Sequence, residues 1–310
     1  MRVILSIALA TVGTTAFAPG GQVDSVITRP VSARVFTYNI CGNSNQCPHH
    51  DEVDIRTDKV VSVVRDQKPD FVFLQEVCES QFDDLNRALR SRYTGKFETT
   101  VSKDTSDELC NENSTAYNYG IAVFARGSAL EETVLDPSVG TEASEGWQAP
   151  CLKTRVNGHG VWGCSVHLYY RDQDVTAAEA QKLNRLVSPW LRRDIPVILG
   201  GDFNPVYDND QANAPLSPVL DSFYSHSGGH GRFIEGDETD KRRFTPQCRA
   251  LQPPAGRCRS GAPTFEAKPE RKLDYVFFSK AHFKTVYGEV LPQDREVSDH
   301  YPYLAAATAD

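Results

Sequence analysis

The sequence has no later apolar stretch long enough to cross a bilayer as a helix. Its one compact apolar run, Val3 to Val12, has about ten residues where a span needs about twenty. It has no excess of positive charge: 33 Lys and Arg stand against 41 Asp and Glu, a formal net charge of −8. That excludes a charge-driven DNA binder of the repressor kind, but not an enzyme that meets nucleic acid briefly and through a metal. There is no C-x-x-C pair with a matching His spacing, which argues against structural zinc. No internal repeat shows at periods of about 20 to 50 residues. The single methionine carries no function.

What is present is ordinary for a globular chain. Of 310 residues, 40% are hydrophobic and 24% charged, so wholesale disorder, collagen and coiled coil are excluded. A chain this long can bury well over half of its unfolded surface and needs no covalent staples to fold.

The N-terminus reads as an export signal. Arg2 supplies the basic start, Val3 to Val12 the apolar run, and Ala16-Phe17-Ala18 a small-x-small cleavage site. The expectation is a signal peptide over residues 1–18, secretion, and one domain over 19–310. Eight cysteines lie beyond that signal, an even count suited to disulfides outside the cell. Connectivity is formally open. The sequence-local scheme pairs Cys41 with Cys47, Cys78 with Cys110, Cys151 with Cys164, and Cys248 with Cys258.

Strand and helix patterns alternate along the chain. Ala33–Ile40, Asp70–Val77, Gly120–Arg126, Val161–Leu168, Ile195–Leu199, Leu273–Ser279 and Tyr303–Thr308 read as strands. Asp51–Gln67, Gln81–Arg90 and Ala177–Leu191 read as helices covering a sheet. Ser225 to Lys272 is rich in Gly, Pro and charge with little apolar periodicity, and reads as a long loop insertion.

Chemistry gathers where strands end. Tyr38-Asn39, Gln75-Glu76, Ser165-Val166-His167, Gly200-Gly201-Asp202-Phe203-Asn204-Pro205, Leu273-Asp274-Tyr275 and Ser298-Asp299-His300 all join an apolar strand to polar side chains. Singly, most have a bland explanation. Asn39 can be a turn residue, Glu76 a surface carboxylate, His167 a satisfied half-buried imidazole, and Asp274 part of an ion pair. GGDFNP says more, because two glycines allow close backbone approach and its Asp and Asn lie two residues apart.

In this order the six segments resemble the endonuclease/exonuclease/phosphatase superfamily, from Ala33 to about Thr308. The resemblance implies an α/β fold: a four-layer α/β/β/α sandwich of two packed mixed sheets flanked by helices. It also implies divalent-metal-dependent phosphoester hydrolysis. Carried over motif by motif, Glu76 is the main metal ligand, with Asn39 and Asp299 shaping the site. Asp202 orients or deprotonates the attacking water, Asn204 holds a phosphate oxygen, and His300 acts on the phosphate with Asp274 fixing its tautomer. His167 is a second imidazole at the phosphate. Carboxylate and amide oxygens suit Mg²⁺, with Mn²⁺ as a substitute, and a structural Ca²⁺ is left open.

The chain departs from the pancreatic-type deoxyribonucleases in two places. Cys78 stands where those enzymes carry a groove-entering Arg, two places after the metal-binding Glu. Tyr117, Asn118 and Tyr119 occupy the stretch where they carry a carboxylate for the first histidine, so the partner of His167 is open. The leading expectation is a secreted, monomeric endonuclease with nucleic acid as substrate and no stable membrane insertion. The Ser225–Lys272 stretch supports it, with ten basic against six acidic residues. The alternative is a sphingomyelinase-like phospholipase C or another small phosphoester hydrolase. A silent binding protein is disfavoured because no motif residue is missing.

Overall fold

A computed structural model describes residues 31–42, 53–102, 110, 119–140, 145–146, 148–205, 217–225, 230–238, 261–268, 270–292, 294 and 296–308. The expected signal peptide, Cys47, Cys248, Cys258 and most of the 225–272 insertion lie outside them.

Fourteen strands and four helices are described. In chain order they are β1 Ser32–Asn39, α1 Val53–Gln67, β2 Phe71–Cys78, α2 Glu79–Leu89, β3 Tyr93–Thr99, β4 Val101–Ser102, β5 Tyr119–Arg126, β6 Glu131–Leu135 and β7 Glu145–Gly146. There follow β8 Ala149–Val156, β9 His159–His167, α3 Gln173–Arg192, β10 Val197–Asp202, α4 Pro218–Asp221, β11 Phe233–Glu235, β12 Asp274–Ser279, β13 Thr285–Val290 and β14 Tyr303–Thr308. Two six-stranded sheets form, in the orders β13-β14-β1-β2-β5-β3 and β11-β12-β10-β9-β8-β6, with β4 and β7 as a small ribbon. Each sheet is mixed: β1 and β2 run parallel in the first, β9 and β10 in the second, and the other pairings are antiparallel.

The layering follows from side-chain alternation. In β2, Phe71 and Phe73 join the cluster between the sheets, while Val72 and Leu74 join the one under α1 and α2. In β12, Val276 and Phe278 face the other sheet while Tyr275 and Phe277 pack toward α3 and α4. Both faces of these strands are covered, so they read as unbroken apolar runs. The result is the four-layer α/β/β/α sandwich.

Two disulfides are described, Cys78–Cys110 and Cys151–Cys164. The second joins residues directly opposite each other on β8 and β9. Cys41 is also disulfide-bonded. Alkylation of the native chain followed by mass spectrometry is expected to find no free thiol. Two or more labelled cysteines would overturn the fully paired reading.

The 225–272 stretch is not loop throughout. Phe233–Glu235 pairs with β12 as the edge strand of the second sheet. At its end and just beyond, Glu235, Asp237 and Glu238 are buried. The Lys272 ammonium lies 3.1 Å from Asp237 and 3.6 Å from Glu235, and 4.2 Å from the Tyr303 ring centroid. Tyr303 donates its hydroxyl to Glu235 at 2.9 Å, tying β14 of one sheet to β11 of the other. Local sequence does not show this pairing, because Lys272 lies tens of positions from Glu235 and Asp237.

Candidate active site

Register places the site. Asp202 at the end of β10 pairs with His167 of β9 on one side and Asp274 of β12 on the other. Residues directly opposite one another point to the same face of a sheet, so these three side chains form a row along the edge of the second sheet. From the first sheet, Asn39 ends β1 opposite Gln75, one residue before Glu76. His300 arrives on the segment leading into β14.

Backbone irregularity aims two of these groups. Glu76 has φ +56°, at a β-bulge where the pairing of β2 with β5 shifts. Bulges re-aim side chains beside functional sites, and a non-glycine residue in this conformation costs on the order of 1 kcal/mol that surrounding structure must offset. Gly201 has φ +146°, and a Cβ there would lie 1.9 Å from the Val166 carbonyl oxygen and 2.9 Å from Gln75 Nε2. The second glycine of GGDFNP is therefore required by crowding just before Asp202.

The two sheets meet in one polar cluster. Asn39 donates Nδ2 to Glu76 Oε1 at 2.9 Å; the same nitrogen lies 3.4 Å from Asp202 Oδ2 and from His300 Nε2. The Nε2 atoms of His167 and His300 each lie 3.7 Å from Asp202 Oδ2. His300 Nδ1 meets Asp274 Oδ2 at 2.8 Å. The nearest ligating atoms of Asp202, Asp274 and His300 fall within 4.8 Å of one another. Asp299 is half-buried at the edge of this cluster and acts on both Glu76 and His300 through its charge.

Burial and neighbouring charge set the proton affinities. Desolvation raises Glu76, partly offset by the Asn39 hydrogen bond and the His300 charge. Desolvation pushes Asp202 up to about 8, against the pull of His300. For His300 burial opposes the charge, but Asp274, Asp202 and Asp299 outweigh it and push the imidazole up to about 10. Burial, with the His300 charge, lowers His167 to about 3. The site thus holds one charged and one neutral imidazole on either side of one carboxylate.

These shifts make a stability prediction. His300 moves from 6.5 to about 10, so its contribution is complete below about pH 6.5 and lost as the pH rises toward 10. Asp202 moves from 3.8 to about 8 and holds its proton more tightly when folded, so it too loses stability as the pH rises. In chelator, the melting temperature is expected to fall between pH 6.5 and pH 10. A flat or rising profile would contradict the assignment.

Two expected residues sit differently from their expected roles. The Asn39 oxygen accepts the Cys41 N–H at 3.0 Å, so its amide nitrogen, not a ligand oxygen, faces the carboxylates. In this conformation Asn39 orients Glu76. Asn204, at φ +46°, spends Nδ2 on the Leu168 carbonyl at 2.9 Å, while its backbone N–H holds Asp202 Oδ1 at 2.9 Å. It braces the turn behind the row.

Supporting residues went unrecognised in the sequence. Gln75 is buried and donates to Ser165 at 3.0 Å, crossing between the sheets beneath the site. Ser298 donates to the Asn39 carbonyl at 2.8 Å and accepts the His300 N–H at 3.0 Å. Thr264 accepts the N–H groups of Leu273 and Asp274. Tyr119 hydrogen-bonds Glu76. The SDH wording hinted at Ser298; nothing local marked Thr264.

The chain matches the Endonuclease/Exonuclease/phosphatase family over residues 36–300. Its fold is similar to that of an endonuclease/exonuclease/phosphatase from Bacteroides vulgatus, with TM-score 0.61 and 20% identity, covering 89% of this chain and 98% of that one. It is also similar to the human nocturnin catalytic domain, with TM-score 0.61 and 18% identity, covering 90% and 94%. Truncated Caenorhabditis elegans TDP2 gives TM-score 0.57 and 16% identity, covering 90% and 98%. No curated protein matches the chain. With all six strand-end segments inside or beside the matched span, this chain belongs to the endonuclease/exonuclease/phosphatase family.

Proposed function

We propose that the chain is a divalent-metal-dependent phosphodiesterase whose substrate is nucleic acid. The observation that carries this reading is Asp202, with one carboxylate oxygen 3.7 Å from both His167 Nε2 and His300 Nε2. Hydrolysing a phosphodiester requires a base for water and positive charge for the phosphoryl oxygens. Asp202, its proton affinity raised toward neutrality, takes the proton of the attacking water. His300, kept charged by Asp274, faces the charge that develops on the phosphate. Neutral His167 offers a hydrogen bond from the other side. The nocturnin domain holding a sulfate anion is a relative of the same fold with an oxyanion bound.

The donor set fits a hard cation. Asp202, Asp274 and His300 bring ligating atoms within 4.8 Å of one another, the Glu76 and Asp299 charges act on this cluster, and Asp274 Oδ1 is buried with no hydrogen-bond partner. Glu76 and Asp299 would hold Mg²⁺ or Mn²⁺, which supplies neutralisation of a nonbridging phosphate oxygen. Such a charge also relieves the raised Glu76 and Asp202.

Nucleic acid is favoured by the 225–272 stretch. Glu235, Asp237 and Lys272 are spent on one another in a buried network, and Glu238 is buried next to Asp237. The remainder carries nine basic and three acidic residues on an otherwise acidic chain. Export accords with the disulfides Cys78–Cys110 and Cys151–Cys164. No helix among the described residues is long and apolar enough to cross a membrane.

The test is one panel of plasmid DNA, single-stranded DNA, RNA, sphingomyelin and small phosphomonoesters, each with Mg²⁺, Mn²⁺, Ca²⁺ or chelator. Metal-dependent cleavage of a nucleic acid is expected. Turnover of sphingomyelin alone would replace this reading with the phospholipase one.

A further inference from the structure

Two residues beyond His167, the chain carries Tyr169-Tyr170-Arg171. Tyr170 is 49% exposed. An exposed aromatic is unremarkable by itself. This one differs in its mount and its place.

The mount is rigid. Leu168 donates its N–H to Asp202 O at 3.0 Å and accepts from the Asn204 side chain at 2.9 Å. The Tyr169 N–H is held at 2.8 Å by Glu179, a fully buried carboxylate of α3. Thr176 donates to the Tyr169 carbonyl at 2.6 Å. Asp172 caps α3 by accepting from Asp174 and Val175 N–H groups. Gln173 reaches back to the Asn204 carbonyl at 2.9 Å. Both sides of Tyr170 are therefore fixed to the same turn that positions Asp202.

The place is the catalytic edge. Tyr170 is three positions beyond His167, so their Cα atoms lie no more than about 11 Å apart. Arg171 donates Nε to the Tyr170 hydroxyl at 2.7 Å, and its guanidinium lies 5.2 Å from the ring centroid. A half-exposed ring with a cation over it and the Tyr169 ring tilted 6.0 Å away, on a fixed mount beside a phosphate site, matches the chemistry of an unstacked nucleobase and its backbone phosphate.

We infer that Tyr170, with Arg171 beside it, is a stacking platform for a base next to the scissile phosphate, and so directs the enzyme to single-stranded or frayed nucleic acid. This rests on the nucleic-acid reading above. The physical basis is exposure of the base: in a duplex both π-faces are covered by neighbours, whereas a single strand leaves them open to an aromatic side chain. Preorganisation matters because a ring already held in place loses little freedom on binding. Tyr169 and Tyr170, with ring centroids 6.0 Å apart, are by themselves a weak membrane anchor, since stable interfacial binding needs a broad apolar face.

The test compares kcat/KM on a single-stranded oligonucleotide with that on a fully abasic strand of equal length, which keeps the phosphates and lacks the bases. Tyr170→Ala is expected to reduce the intact-to-abasic ratio about 5- to 150-fold relative to wild type, the worth of one base stack. Tyr170→Phe, which keeps the ring and loses the Arg171 hydrogen bond, is expected to retain most of the ratio. Melting temperatures of both variants check the fold. An unchanged ratio in Tyr170→Ala would remove the platform and leave the phosphodiesterase reading standing. Wild-type turnover of sphingomyelin vesicles with no strand cleaved would overturn both.

Discussion

Asp202→Asn and His300→Ala are each expected to lower kcat by about 100- to 10,000-fold, with the double variant little worse than the poorer single one. The two residues come from segments about a hundred positions apart, yet the Asp202 carboxylate and His300 Nε2 lie 3.7 Å apart in a buried cluster. In the proposed mechanism one handles the proton of the incoming water and the other the charge on the phosphate. Groups that serve a single transition state are not independent, so losing the second costs little once the first is gone. Removing His300 also leaves Asp274 buried without its 2.8 Å partner. His300→Gln, which keeps a donor, separates that stability cost from the kinetic one. Single-turnover rates with Mg²⁺ and melting temperatures on all variants make the measurement. Losses that multiply fully would mean the two residues act in separate steps, and full activity in either single variant would remove the catalytic assignment.

The strands that carry the site were legible because both of their faces are buried. FVFLQEV and DYVFFS are continuous apolar runs, and a polar residue at their ends stands out. GGDFNP was legible because its glycines are forced: Gly200 lies under the Phe73 ring, where a Cβ would sit 2.6 Å from a ring carbon. The strands that were missed have no such signature. β8 contains Pro150 and turns the Lys153 and Arg155 side chains outward, and β13 is mostly exposed. The third helix begins at Gln173, four residues before the expected Ala177, because Asp172 caps it. Trp162 and Trp190, far apart in sequence, stack at 4.4 Å on the α3 side of the second sheet. Pairings of this kind depend on register between distant segments, which local periodicity does not encode.

The same limit explains the site's supports. Gln75 reads as half of a QE motif, but its task is a hydrogen bond to Ser165 in the other sheet, ninety positions away. Asn39 was expected from its motif to shape the metal site. Its orientation depends on the Cys41 N–H, in a turn where Cys41 itself has φ +51°. Residue type identified which side chains would converge; only the packed turn decided which atom each presents.

Glu76→Gln is expected to lower the metal-supported rate by at least about 100-fold while leaving the fold intact. The argument begins with its backbone. Glu76 sits at φ +56° in a bulge, in a conformation that costs free energy and turns its side chain toward Asn39 and the second sheet. Two neighbours hold that side chain, Asn39 at 2.9 Å and the Tyr119 hydroxyl. Gln matches the size of Glu, and its carbonyl oxygen can still accept from Asn39, so a purely structural Glu76 would tolerate the exchange. It would gain from it, because burial already raises this carboxyl and an amide carries no charge to desolvate. What Gln lacks is the negative charge that a hard cation requires of its main ligand. The expected pattern is therefore a melting temperature equal to or above wild type in chelator, a smaller rise on adding Mg²⁺, and a collapsed rate. Calorimetric titration with Mg²⁺ or Mn²⁺ reads the ligand role without turnover. Wild-type metal affinity in Glu76→Gln, or full activity of the native chain in chelator, would contradict the assignment.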